Sequence, residues 1–323
     1  MALLTALPLE NARPLAREFG LDLMQIEPLS LGSVNSNFAL TTSDGQRYFA
    51  RLYEEQERAG ALAELALVSG LARAGVPVVQ CLPRADGAGV GDYRGKAFAV
   101  FPWLDGEISC QGRVTPEACR TLGAALARVH LCTPELQRPG EGRFRIADLR
   151  ERLDRVEREG HRAYFDDVAR IRQRLAHYEA ERLRVDAPRG VIHSDLFRDN
   201  VLWTRGGELL ALLDFESACD GAFAYDVMMT IAAWCFGSSY DLALVAAFLS
   251  GYQSVRPIGA EERAALKIEG AVACLRIATT RITDFSLRAE AGKPPLRDYR
   301  RFLTRLSALE AGDLDDCLTS ALG

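Results

Sequence analysis

The most constraining stretch is Val191-Ile-His-Ser-Asp-Leu-Phe-Arg-Asp-Asn-Val-Leu-Trp203, which continues after the turn Arg205-Gly-Gly207 into Leu209-Leu-Ala-Leu-Leu-Asp-Phe-Glu216. Two short apolar runs flank a polar loop, and the second run ends in a carboxylate. Short apolar runs bounded by polar and glycine residues read as strand, loop, strand. His193, Asp195 and Asn200 then stand on the loop, and Asp214 closes the second strand.

The spacing H-x-D-x-x-x-x-N followed by D-F matches what phosphoryl transfer from ATP requires. Its transition state is loose, so a protein mainly positions groups and neutralises charge. One carboxylate must receive the acceptor hydroxyl's proton, and Asp195 is placed for that. An amide oxygen and a second carboxylate must hold Mg²⁺ on the phosphates, which assigns Asn200 and Asp214. His193 reads as a structural residue that holds the loop. The alternative is a polar surface loop that carries these residues by coincidence, which the flanking strands and the downstream Asp-Phe-Glu argue against.

The chain has 323 residues, enough for two lobes with substantial cores. A formal net charge of −5 argues against nucleic acid as a partner. The longest apolar run, Val227 to Phe236, is too short to span a bilayer, and the N-terminal stretch lacks the basic region of a signal peptide. The expectation is a cytoplasmic protein, monomeric or homodimeric, without a membrane partner. Its eight scattered cysteines read as buried free thiols rather than a zinc site.

Residues 9–19 read as an amphipathic helix, and Gln25–Leu31, Phe38–Thr42 and Arg47–Tyr53 as strands. Ser43-Asp-Gly45 is a hairpin turn. The polar turn Gly32-Ser-Val-Asn-Ser-Asn37 either covers ATP phosphates, with Ser33 and Asn35 as candidates, or is a plain hairpin loop. Arg51, set among Phe49, Leu52 and Tyr53, needs a partner. Either it reaches the α/β-phosphates and pairs with Glu64 of the helix over 59–74, or it is a solvated arginine on an edge strand. The strand running into Phe101-Pro-Trp-Leu-Asp-Gly106 reads as a hinge where adenine would bind, with Phe101 and Trp103 beside it. From Thr115 the chain is mostly helical; residues 147–158 and 162–184 alternate in charge and read as solvated faces. Asp226 opens an apolar helix almost alone among apolar residues, so backbone donors of the catalytic loop are its natural partners. Residues 240–251, 260–288 and 296–311 complete a helical part. The expected fold is α+β and two-lobed, protein-kinase-like, with a small antiparallel-sheet lobe over 1–103 and a larger helical lobe over 104–323.

HSDLFRDNVLW, LLDFESACDGAFAYDV and AAWC together resemble the aminoglycoside phosphotransferase-like superfamily of small-molecule kinases. Within it the chain is most similar to bacterial homoserine kinases, through GSVNSNFALTT, RYFARLYE, GYQSVRP and LRIATTRITDF as well. Ser194, Val34 and Ala232 depart from the family pattern, which has Gly, an acidic residue and Asn there. The resemblance implies an ATP- and Mg²⁺-dependent kinase that acts on the hydroxyl of a small amine-bearing acceptor, L-homoserine first, in threonine biosynthesis. Choline, ethanolamine, amino sugars or aminoglycosides are the alternative acceptors, and a non-catalytic nucleotide-binding scaffold is the alternative class. A zwitterionic acceptor needs a cation and an anion, for which Arg276, Arg281 and Asp284 are the candidates. Against that reading, Arg281 and Asp284 could simply pair at i,i+3 on the helix surface.

Overall fold

The computed structural model describes residues 5–30, 34–133, 136, 139–288 and 297–322. The chain forms two compact units. One holds the residues up to Glu107 together with Leu210–Glu216; the other holds Ile108–Leu209 and the residues from Ser217 onward. Beside the expected division at 103/104, this grouping joins Leu210–Glu216, which carries Asp214, to the first unit.

The first unit runs α1 (Leu9–Glu18), β1 (Leu23–Leu29), β2 (Ser36–Thr42), β3 (Arg47–Leu52), α2 (Arg58–Arg73), β4 (Gly91–Tyr93) and β5 (Lys96–Pro102). These strands make an antiparallel sheet of order β1-β2-β3-β5-β4. Turn chemistry sets its register: Arg94 and Gly95, both at positive φ, join β4 to β5, which is the backbone a two-residue hairpin favours. The strand period of two then separates the faces. Phe98 and Val100 join Phe38, Leu40 and Leu52 in a core with Leu15 of α1 and Phe19 just after it, whereas Ala97 and Ala99 pack with Tyr53, Ala61 and Leu65. Helix α2 stops at Gly75, whose φ of +79° lets Val76 N–H reach back to the Leu71 carbonyl.

The rest of the chain runs β6 (Glu107–Ile108), α3 (Pro116–Leu131), α4 (Ile146–Arg158), α5 (Phe165–Arg182), β7 (Arg189–Ile192), β8 (Val201–Trp203), β9 (Leu209–Leu212), β10 (Cys219–Ala222), α6 (Phe223–Trp234), α7 (Leu242–Gln253), α8 (Ala260–Arg281), α9 (Arg300–Glu310) and α10 (Asp315–Leu322). Every residue of α6 is buried, so it is the central helix of its unit. Helices α3 and α7 cross at glycines: a Cβ at Gly251 would lie 1.9 Å from the Arg120 carbonyl oxygen.

The catalytic segment is more broken than strand, loop, strand. Strand β7 pairs with β10, the partner the sequence reading missed, in register Ile192 to Cys219. A 3₁₀ turn over Arg198–Asn200 leads into the short β8. Helix α8 does not run on as α-helix to 288; it ends in one π-helical turn, Ile282–Ser286.

Candidate active site

In the helical unit, the loop after β7 is held from below by Asp226. This carboxylate is fully buried and accepts the backbone N–H of His193 and of Ser194, each at 2.7 Å. His130 Nε2 is 3.1 Å from the same carboxylate, and His130 Nδ1 is 2.6 Å from the Tyr252 hydroxyl. Arg256 in turn donates to the Tyr252 oxygen at 2.9 Å. Burial pushes the Asp226 carboxyl up, but the bonds from His130 and the loop outweigh it and the net shift is down. Burial pushes His130 down, against the pull of Asp226. The consistent assignment is an ionised Asp226 and a neutral His130 that donates from Nε2 and accepts from Tyr252 at Nδ1. Tyr252 and Arg256 stand in the GYQSVRP stretch and His130 in no motif, and only folding brings the three beneath the loop.

Asp226→Ala should lower stability by about 3–5 kcal/mol, because it orphans two buried backbone donors and a histidine. Urea unfolding measures this, and a loss below 1 kcal/mol would contradict the anchoring role. The folded state holds His130 below its ordinary pKa, so between that lower value and the unfolded one, about 6.5, the unfolded chain binds more protons. Stability contributed by His130 is therefore present above about pH 6.5 and declines as pH falls.

Above this anchor Ser194 takes φ +69°, a left-handed conformation that glycine adopts without the Cβ cost of roughly 1–2 kcal/mol. That explains why glycine suits this position. Asp195 N–H points to His193 Nδ1 at 3.3 Å, and Trp234 Nε1 donates to the Leu196 carbonyl at 3.0 Å. Arg198 donates to the Gln111 side chain and the Ala233 carbonyl. Asn200 Nδ2 donates to the Asp195 carbonyl at 2.7 Å, which leaves its Oδ1 for another partner. Ala232, on α6, is buried, and its carbonyl accepts from Arg305 Nε at 2.7 Å.

The acceptor candidates separate. Arg276 is 3 % exposed and donates from Nη1 to Asp195 Oδ1 at 2.6 Å, while its guanidinium lies 4.0 Å from the centre of the Phe144 ring. Burial works against its charge, but Asp195 more than compensates and the guanidinium stays charged. Arg276 is thus a partner of the catalytic-loop carboxylate itself. Arg281 and Asp284 do not pair with each other. Arg281 donates to the Asp298 carbonyl at 3.0 Å, and Asp284 pairs with Arg152 of α4 at 2.7 Å. The π-helical turn supplies the reason, since the extra residue per turn takes Asp284 off the α-helical face of Arg281. Arg152 itself lies in a stretch that its alternating charges make look like a solvated face.

In the sheet unit, Arg51 projects from β3 and stands 3.3 Å from Asp214 and 3.8 Å from Glu64 of α2. Burial disfavours its charge, but Asp214 and Glu64 raise its pKa above the ordinary value. It is therefore no solvated edge-strand arginine. Asp214 adopts φ +62°, and its side chain keeps 37 % exposure. Asn35 is turned inward: its Nδ2 donates to Glu216 at 2.8 Å and its Oδ1 accepts the Glu54 N–H at 3.1 Å. Phe101 packs on Phe49 with ring centres 6.0 Å apart. One face of Trp103 is already covered, by the Arg47 guanidinium at 3.7 Å. Ser33 lies outside the described residues.

A unit built on a five-stranded antiparallel sheet and a helical unit, with an Asp-Asn loop and a strand-terminal Asp, define a protein-kinase-like α+β phosphotransferase fold. Residues 25–258 match the phosphotransferase enzyme family, and the chain belongs to that family. It is 35% identical to a homoserine kinase of Mesorhizobium japonicum, over 88% of each chain, and 33% identical to one of Methylorubrum populi, over 97% of this chain and 98% of the other. Among solved structures it resembles an amicoumacin kinase in complex with AMP-PNP and Ca²⁺, with TM-score 0.69, 17% identity and coverage of 95% and 94%. A choline kinase of Streptococcus pneumoniae matches with TM-score 0.64 and 16% identity over 94% and 99%. The chain is an ATP-dependent kinase with an alcohol group as acceptor. Among the described residues no helix is long and apolar enough to cross a membrane.

Proposed function

We propose that this kinase phosphorylates the side-chain hydroxyl of L-homoserine from MgATP, giving O-phosphohomoserine for threonine biosynthesis. The observation that carries the reading is the catalytic loop, in which Asp195 keeps a 29 % exposed carboxylate on a backbone fixed by Asp226 and Trp234. In this role Asp195 orients the acceptor hydroxyl and takes its proton as the bond to phosphorus forms. Arg276 keeps the carboxylate in one orientation. Asn200, with its nitrogen committed to the loop, offers Oδ1, and Asp214 offers a half-exposed carboxylate; both are the oxygen ligands that Mg²⁺ selects. When bound, the metal neutralises charge on the transferring phosphoryl group. Arg51, charged and paired with Asp214 and Glu64, would bind phosphate oxygens in this reading. Relatives named as homoserine kinases, at 33–36% identity, support the acceptor.

The test is a phosphoryl-transfer screen with MgATP over homoserine, choline, ethanolamine and an aminoglycoside, with product identified by phosphorus NMR. Homoserine should exceed the others in kcat/KM by about 10² or more, since a site built for two charges rejects acceptors lacking one. Preference for choline or the aminoglycoside would refute the homoserine assignment while leaving the kinase intact.

A further inference from the structure

We infer that Arg152 and Asp284 form the clamp that selects an α-amino-acid zwitterion as acceptor, Arg152 taking the carboxylate and Asp284 the ammonium. This rests on the homoserine reading above and names the residues that would enforce it. Arg152 Nη1 donates to Asp284 Oδ1 at 2.7 Å and to Thr283 Oγ1 at 2.8 Å. The two side chains are 27 % and 31 % exposed, so their pairing is a partly solvated one of small net value. A ligand that carries both charges can replace each partner by its own group without leaving either side chain unpaired.

Position favours this exchange. The guanidinium carbons of Arg152 and Arg276 lie 5.6 Å and 4.0 Å from the centre of one ring, that of Phe144. Arg276 in turn holds Asp195 at 2.6 Å. The Arg152–Asp284 pair is thus linked to the proposed proton acceptor through Phe144 and Arg276. The π-helical turn is what directs Asp284 to Arg152, and such turns recur at functional sites.

The surroundings point to the same ligand class. On its other side Arg152 lines a cleft of about 320 Å³ with four further arginines, Asp148 and Glu151, a cleft that Asp284 and Asp195 do not line. A positively lined cleft raises the local concentration of carboxylate-bearing molecules and opposes polycations. An acceptor with no carboxylate would forgo Arg152, and one with no ammonium would leave Asp284 with nothing beyond its present partner.

The experiment compares L-homoserine with 3-amino-1-propanol, which lacks its carboxylate, and 4-hydroxybutyrate, which lacks its ammonium. In the wild type homoserine should lead both in kcat/KM by about 10² or more. Arg152→Met should cut the homoserine to aminopropanol ratio by about 10². Asp284→Asn should do the same to the homoserine to hydroxybutyrate ratio, and Arg152→Lys should restore part of the first. An Arg152→Met variant that folds normally and loses activity on every acceptor alike would overturn the clamp while homoserine stood as substrate. A wild type that prefers aminopropanol to homoserine would overturn the homoserine reading and the clamp with it.

Discussion

Asp195→Asn should keep the fold and nucleotide binding yet lose phosphoryl transfer by roughly 10² to 10⁴, and by more if hydroxyl orientation is lost as well. Asparagine is the informative replacement because Arg276 is buried and donates to Asp195 Oδ1 at 2.6 Å. The amide keeps an oxygen for that guanidinium, so the variant removes the proton acceptor without orphaning a buried charge. Asp195→Ala would do both, and its loss of activity would mix chemistry with instability. Single-turnover kinetics with homoserine, beside calorimetric titration of a non-hydrolysable ATP analogue, separates the two effects. Turnover within tenfold of wild type would remove Asp195 from the proton-accepting role.

Asp214→Ala should lower kcat/KM by about 10³ or more, with little recovery at high Mg²⁺. Two losses coincide, a carboxylate proposed to hold the metal and the nearer of the two carboxylates on Arg51, at 3.3 Å against 3.8 Å for Glu64. Alanine also bears the cost of φ +62°, which asparagine tolerates, so Asp214→Asn is the cleaner companion. Asn200→Ala should be milder and partly rescued by Mg²⁺ or Mn²⁺, because an amide contributes no charge. Metal titrations of activity distinguish the cases; an unchanged metal dependence in both variants would remove them as ligands.

The local grammar of this chain is legible in its sequence. Hairpin turns, the glycine stop after α2 and the alternation that splits the sheet faces depend on residues a few positions apart. Their physics is confined to backbone dihedrals and the strand or helix period. The catalytic segment is legible for a different reason: phosphoryl transfer demands carboxylates and an amide at fixed offsets, so Asp195, Asn200 and Asp214 stand out before any fold is known. Asp226 declares itself as a carboxylate among apolar residues that must find donors.

Which side chains answer those demands was decided only in three dimensions. Arg276 meets Asp195 across 81 residues, His130 meets Asp226 across 96, and Arg152 meets Asp284 across 132. A helical period tells which face a charge occupies, not what another helix sets opposite it. Arg281 and Asp284 sit three apart, yet one π-helical turn sends them to different partners. Strand pairing shows the same limit, since the hydrophobic pattern of Arg189–Ile192 is satisfied equally by several neighbours and only the folded chain selects Cys219–Ala222. The sequence by itself thus pointed to most of the elements and to the candidate reactive groups, because those follow from short-range sterics and from the demands of the chemistry. The charge partners, and with them the proposed acceptor clamp, came only from tertiary packing, because an ion pair between distant helices depends on how those helices are set against each other.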